Sequence, residues 1–210
     1  MKRLFHNLML SCFVAACFLV AGGALTCLAQ PAAVVPAPAA TTKILSLFDT
    51  LRTAEAKRAQ GSPVRVNFQL SDGEINEYAR YALKTTPRPG LESATVKIFP
   101  HNYVSTFSVV DFTAVERWKP GTIPTLLLPV LNGKKSIWVD YRFEIKNSAL
   151  TFTVVKAYYQ NLRIPAFVVE KLIGIVAARQ PERYDTSKPL ILPFGLRQIS
   201  TGDHLLMGTN

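Results

Sequence analysis

Residues 137–159 constrain this chain more than any other stretch. Ile137, Val139, Tyr141, Phe143 and Ile145 alternate with Trp138, Asp140, Arg142, Glu144 and Lys146, and after Asn147-Ser148 the apolar parity resumes at Leu150, Phe152 and Val154. Successive side chains of an extended chain point to opposite faces, so Ile137–Lys146 and Ala149–Tyr159 are expected to be antiparallel strands with one dry side and one wet side. A sheet of this kind needs apolar elements laid on its dry face.

Between Lys43 and Gln60, Ile44, Leu47, Phe48, Leu51 and Ala54 recur at helical spacing, and Gly61 and Pro63 end the pattern. This predicts an N-terminal amphipathic helix. Val64, Val66, Phe68 and Leu70 then alternate with polar residues as in a half-buried strand. Ser71 and Glu74 have the spacing of a capping box, which predicts a second helix with Ile75, Tyr78, Ala79 and Ala82 buried, stopped by Thr86-Pro87-Arg88-Pro89-Gly90. The period next returns to two: Ala94, Val96 and Ile98 share a face, Pro100-His101-Asn102 turns the chain, and Tyr103–Phe112 returns. Asn132-Gly133 predicts a tight hairpin. Pro165 opens a third helix, apolar nearly all round through residue 178 except at Glu170 and Lys171. Leu196–Ser200 and His204–Met207 predict a closing hairpin about Thr201-Gly202-Asp203. The order predicts an α+β fold, with helices on the apolar face of one antiparallel sheet of seven or eight strands, which should curl.

Residues 1–29 carry Lys2-Arg3, an apolar run from Leu8 to Leu28 and a small-residue end at Cys27-Leu28-Ala29, the pattern of an export signal. The run is also long enough for an uncleaved N-terminal anchor, and Val14-Ala15-Ala16-Cys17 has the look of a lipoprotein box. Each option places the folded part outside the cytoplasm, in the periplasm or otherwise associated with the cell envelope. Residues 30–42, with three prolines and five alanines, predict an extended tether, and 43–210 a single domain. Losing Lys2 and Arg3 with the leader takes the net charge from +10 to +8. All three cysteines, Cys12, Cys17 and Cys27, fall in the leader, so the remainder has no thiol for a disulfide, a metal or a nucleophile.

Chemistry-bearing patterns are few. His101 and His204 fall at expected turns, where solvent-exposed histidine is the ordinary outcome. No nucleophile elbow, zinc-binding helix or phosphate-binding glycine loop occurs. Asp111, Glu116, Asp140 and Glu144 offer carboxylates for a glycosidase-like pair, but Asp140 and Glu144 alternate with Trp138 and Arg142 as on a solvated sheet face. The chain therefore reads as a non-enzyme with no catalytic residue, metal or cofactor. Basic residues such as Lys57-Arg58, Lys84, Arg88, Lys134-Lys135, Arg179 and Arg183 read as solubilising charge or as attraction to an anionic membrane surface. Nucleic acid is not expected as a partner of an exported chain without an aromatic stacking motif.

With 49% hydrophobic against 18% charged residues, the chain must fold around a core. An almost entirely apolar helix has to be covered on several sides, and a curled sheet with two amphipathic helices leaves room for a long apolar cavity suited to acyl chains. Ile75, Tyr78, Phe107, Tyr141, Phe143, Phe152, Phe167 and Leu172 are the expected lining.

The strand Val64–Leu70 running into Ser71-Asp72-Gly73-Glu74-Ile75-Asn76 resembles the strand-then-helix opening of the LmeA-like phospholipid-binding family, bacterial envelope relatives of the tubular lipid-binding (TULIP) proteins. Ala149-Leu150-Thr151-Phe152, Leu162-Arg163-Ile164-Pro165 and Leu190-Ile191-Leu192-Pro193-Phe194-Gly195-Leu196, with the closing Thr201-Gly202-Asp203 hairpin, are similar to the ending of that family. The resemblance covers residues 64–208. It implies a strongly curved antiparallel sheet wrapped around a long apolar helix, a lipid-sized groove, and a non-catalytic role in binding or moving envelope phospholipid. The competing expectation is an envelope interaction module with a filled core that holds a protein through the outer sheet face, with Trp138 and Arg142 as anchors.

Overall fold

The computed structural model describes residues 38–170 and 189–210, apart from 119, 122, 124, 126 and 127. The expected leader and all of the tether before Pro38 lie outside the described residues. Helix α1 spans Ala39–Ala59, starting four residues before the expected Lys43, and buries Thr41, Ile44, Phe48, Leu51 and Ala54. The strand β1 (Asn67–Ser71) leads directly into α2 (Asp72–Thr85). Val64 is exposed, and strand structure begins only at Asn67, where β9 becomes available as a partner.

The turn into α2 is the capping box read from the sequence: Ser71 Oγ accepts from the Glu74 amide at 3.1 Å, and Glu74 Oε2 accepts from the Ser71 amide at 2.8 Å. Two otherwise orphaned amides are thus satisfied. Glu74 also meets Lys43 Nζ at 2.6 Å, tying α1 to α2. That lysine, followed by the Ser71 amide, holds the Glu74 carboxyl below its ordinary range. Ile75, Tyr78 and Ala82 are buried and Ala79 half-buried, while Phe48 and Tyr78 meet edge to face with ring centres 5.9 Å apart.

β2 (Leu91–Phe99) and β3 (Tyr103–Asp111) form the next hairpin, with His101 and Asn102 at φ 63° and 57°. Phe112, expected to end the return strand, instead begins the short helix α3 (Phe112–Trp118), where Asp111 Oδ1 accepts from the Ala114 amide at 3.1 Å. β4 (Lys134–Lys146) and β5 (Ala149–Tyr159) pair through a two-residue turn in which Asn147 and Ser148 have φ 53° and 60°, the left-handed pair that matches strand twist. β6 (Leu162–Ile164) and β7 (Leu190–Ile191) pair with β5 at its two ends, and β8 (Gln198–Gly202) and β9 (Leu205–Thr209) close the chain about an Asp203-His204 turn.

The protein is α+β, with a six-stranded antiparallel sheet in the order β2-β3-β4-β5-β6, β7 also on β5, and no closure into a barrel among the described residues. A second sheet, β1-β9-β8, stands apart, where one large sheet was expected. The reason lies at the outer edge of β2. Asn76 Nδ2 donates to the Val96 carbonyl at 2.8 Å, and its Oδ1 accepts the Val96 amide at 2.7 Å. Asp72 Oδ2 accepts the Ile98 amide at 3.4 Å, and the His204 amide donates to the Ile98 carbonyl at 3.1 Å. Side chains and one turn amide take the places that a further strand would occupy.

The inner face of the large sheet, α1, α2 and the small sheet share one core that includes Ile44, Phe48, Leu70, Ile98, Val139 and Leu206. A smaller cluster of Leu91, Val110, Phe112, Val115, Ile123 and Leu131 fills the other end beneath α3. Asn132-Gly133 does not join two strands. Gly133 takes φ 60°, donates to Thr113 Oγ1 at 2.9 Å and accepts from the Phe112 amide at 3.0 Å, which fixes α3 against the start of β4. Of the expected third helix, residues 166–170 are helical, and 171–178 lie outside the described residues.

Candidate functional site

The eight residues expected to line a lipid cavity divide by sheet face. Ile75, Tyr78, Tyr141 and Phe143 are buried in the main core, and Phe152 packs against it half-buried. Phe167 is 69% exposed and Phe107 42% exposed. Leu172 lies outside the described residues. The placement of Phe107 corrects the expected lining. On β3 the inward positions are Val104, Thr106, Ser108 and Val110, in register with Tyr141, Val139, Ile137 and Lys135, so Phe107 points outward beside Trp138. Burying Thr106 and Ser108 is tolerable because their hydroxyls donate to the Val139 and Ile137 carbonyls at 3.3 and 3.5 Å.

Phe107 belongs to an organised outer face. Cross-strand register sets Thr95, Phe107, Trp138, Tyr158 and Arg163 in one row, Lys97, Ser105, Asp140 and Lys156 in the next, and Phe99, Tyr103 and Arg142 in the third. A bulge beside Asp140 leaves Val155 without an opposite residue and increases the local twist. Trp138 and Tyr158 sit with ring centres 6.2 Å apart, Phe99 and Tyr103 5.7 Å apart, and Arg142 Cζ lies 5.8 Å from the centre of the Tyr103 ring.

At the middle of this face Asp140 is only 6% exposed, which corrects its expected place on a solvated surface. Its Oδ2 accepts from Tyr103 Oη at 2.8 Å and its Oδ1 from Trp138 Nε1 at 2.7 Å, and the same indole N–H also reaches Ser105 Oγ at 2.6 Å. The carboxylate is covered because two aromatic neighbours fold over it, and its hydrogen bonds meet the cost of that burial. Burial, and then the hydrogen bond to Asp140, push Tyr103 up to about 12.

The remaining candidates have separate duties. Asp111 caps α3, Glu116 Oε2 accepts the Ile123 amide at 3.0 Å, and Glu144 pairs with Lys146 at 3.1 Å on the surface. His101 occupies the exposed β2–β3 turn, and His204 the β8–β9 turn with its Nδ1 2.7 Å from Asp72. Among the described residues, no group of three or more His, Cys, Asp or Glu side chains is placed to hold a metal ion, and no helix is long and apolar enough to cross a membrane. Two open grooves are formed by described residues: one of about 620 Å³ along α1, bordered by Leu45, Asp49, Thr53 and Val64, and one of about 470 Å³ over Phe68, Gln198 and Met207 of the small sheet. Neither is bordered by any of the eight expected lining residues.

Sequence reasoning names Trp138, Asp140 and Arg142 on this face, and it misses Phe99, Tyr103, Tyr158 and the burial of Asp140. The available signal was parity: Phe99 and Lys97 alternate with the buried Ile98 and Val96. Compared with known proteins, the chain matches no family model, and no curated protein is similar enough to indicate kinship.

Proposed function

We propose that this chain is an exported, non-catalytic protein of the cell envelope that binds or transfers phospholipid or a similar acyl-chain lipid. What supports the reading is the unequal pairing of β5. One edge of β5 pairs with β4; the other meets β7 at Ala149-Leu150 and β6 at Ala157–Tyr159, and on that second edge Thr151–Lys156 meets no strand among the described residues. Inward-facing Phe152 is half-buried at this gap, and Leu162 and Phe167, on the side of β6, are 72% and 69% exposed. Apolar side chains bracketing an opened sheet edge suit an acyl chain entering from the side, at roughly 0.8 kcal/mol for each buried CH₂. In this reading the apolar sequence after Pro165 forms the long helix around which the sheet curves, as the resemblance to LmeA-like proteins implies.

Mass spectrometry of organic extracts from protein purified out of the envelope tests it. Co-purified phospholipid is expected, together with saturable uptake of a fluorescent acyl lipid that is weakened by Phe152→Asp. No extracted lipid and no uptake by the unaltered chain would reject the proposal. A second reading, an interaction module with a filled core, is favoured by the burial of Ile75, Tyr78, Tyr141 and Phe143 in one packed cluster.

A further inference from the structure

The outer face of the six-stranded sheet has a chemistry that cavity binding leaves unused. Phe99, Phe107 and Trp138 are 37%, 42% and 47% exposed on it, a concentration of aromatic surface that a soluble face does not need. Cations stand between and beside them: Lys97, Arg142, Lys156 and Arg163 are all exposed. The acids do not offset this charge. Asp140 is buried and turned to its own neighbours, and Glu144 is engaged with Lys146.

The direction of the polar groups narrows the choice of partner. Exposed Trp and Tyr in a protein-binding or sugar-binding surface ordinarily offer an N–H or O–H to the partner. Here the Trp138 N–H points back to Ser105 and Asp140, and the Tyr103 hydroxyl donates to the other oxygen of the same carboxylate. Once those handles are committed, the indole and the two phenyl rings present hydrocarbon outward, ringed by lysine and arginine. Hydrocarbon flanked by cations matches the two layers of a membrane surface, acyl and glycerol carbon below anionic phosphate.

We propose that this face docks the protein on an anionic phospholipid leaflet, with Phe99, Phe107 and Trp138 entering the interface and Lys97, Arg142 and Lys156 meeting headgroup phosphates. The inference stands beside the lipid-carrier reading, because docking uses the outer face and acyl-chain uptake the inner one. Asp140 serves as the hub that fixes the Tyr103 hydroxyl and the Trp138 N–H.

The test uses the full chain carrying Trp118→Phe, which leaves Trp138 as its sole tryptophan. Its emission is followed on vesicles of phosphatidylcholine alone and of phosphatidylcholine with roughly one-third phosphatidylglycerol, with and without brominated lipid. On the anionic vesicles Trp138 emission is expected to shift to the blue and be quenched by shallow bromines, and to revert at high salt. Neutral vesicles should leave it unchanged. Lys97→Gln with Lys156→Gln should weaken partitioning about 30-fold, from roughly 1 kcal/mol per cation near the surface. Both lysines are exposed, so circular dichroism should be unaltered. The proposal is overturned if anionic vesicles leave Trp138 unquenched, if the double variant partitions as the parent does, or if a soluble acidic glycan moves Trp138 emission and vesicles do not. Docking without acyl-lipid uptake rejects the carrier reading alone, and uptake without Trp138 quenching rejects this one alone.

Discussion

His204 Nδ1 stands 2.7 Å from Asp72 Oδ2, the same carboxylate oxygen that accepts the Ile98 amide. One contact therefore joins the β8–β9 turn, the first turn of α2 and the edge strand of the large sheet. The hydrogen bond to Asp72 raises the His204 pKa, helped by the charges of Asp72 and Asp203 and opposed by slight desolvation and by Lys97. A raised folded value means that the stabilisation is fully present below the unfolded histidine pKa of about 6.5 and is lost as pH climbs through the folded value. Urea midpoints measured from mildly acidic to mildly alkaline pH should fall more for the unaltered protein than for His204→Asn, a residue that tolerates the φ of 57° found here. Parallel profiles would remove His204 as the source.

Asn76 satisfies both backbone groups of Val96 that face away from β3. Asn76→Ala leaves a carbonyl and an amide without partners and should cost about 2–3 kcal/mol. It also uncovers a strand edge, so sedimentation velocity should find dimers or larger species that the parent lacks. A variant that stays monomeric with an unchanged denaturation midpoint would show that water serves Val96 equally well.

Gly90 has φ 82°, and a Cβ there would stand 2.3 Å from Val115 Cγ2 and 2.7 Å from the Asp111 carbonyl oxygen. Backbone does not yield as a flexible side chain does, and positive φ adds its own penalty. Gly90→Ala should lower stability by more than about 2 kcal/mol in thermal or chemical denaturation.

Phe143 and Phe107 give a paired test of the sheet faces. Phe143 is 7% exposed in the main core and Phe107 is 42% exposed on the outer surface. Phe143→Ala should cost about 3–5 kcal/mol, and Phe107→Ala less than about 1 kcal/mol. Equal losses would mean that the outer face is covered in solution.

What could be read along the chain, and what could not, follows from the range of the interactions. The Ser71–Glu74 cap and the Asn147-Ser148 turn are local, and both form as their spacing predicts. The parity of Ile137–Lys146 also holds, because one face of β4 is buried along most of its length. Phe107 was misplaced because β3 puts Thr106 and Ser108 inward, where hydroxyl bonds to β4 replace apolar burial. Asp140 looked solvated because Tyr103, which covers it, is 37 residues away in sequence. The division into two sheets depends on Asn76 and Asp72 reaching an edge strand that follows them by 20 and 26 residues, and no periodicity encodes such a reach.

The side-chain seal on β2 has a consequence for assembly. Because the outward backbone groups of Val96 and Ile98 are already engaged, another polypeptide finds no free ladder at those positions, and among the described residues the unpaired stretch of this sheet lies on the β5 flank, between β6 and β7. Two copies joined there would each turn outward a β2 margin on which Asn76, Asp72 and the His204 amide already hold Val96 and Ile98, which disfavours further growth of this sheet at those positions.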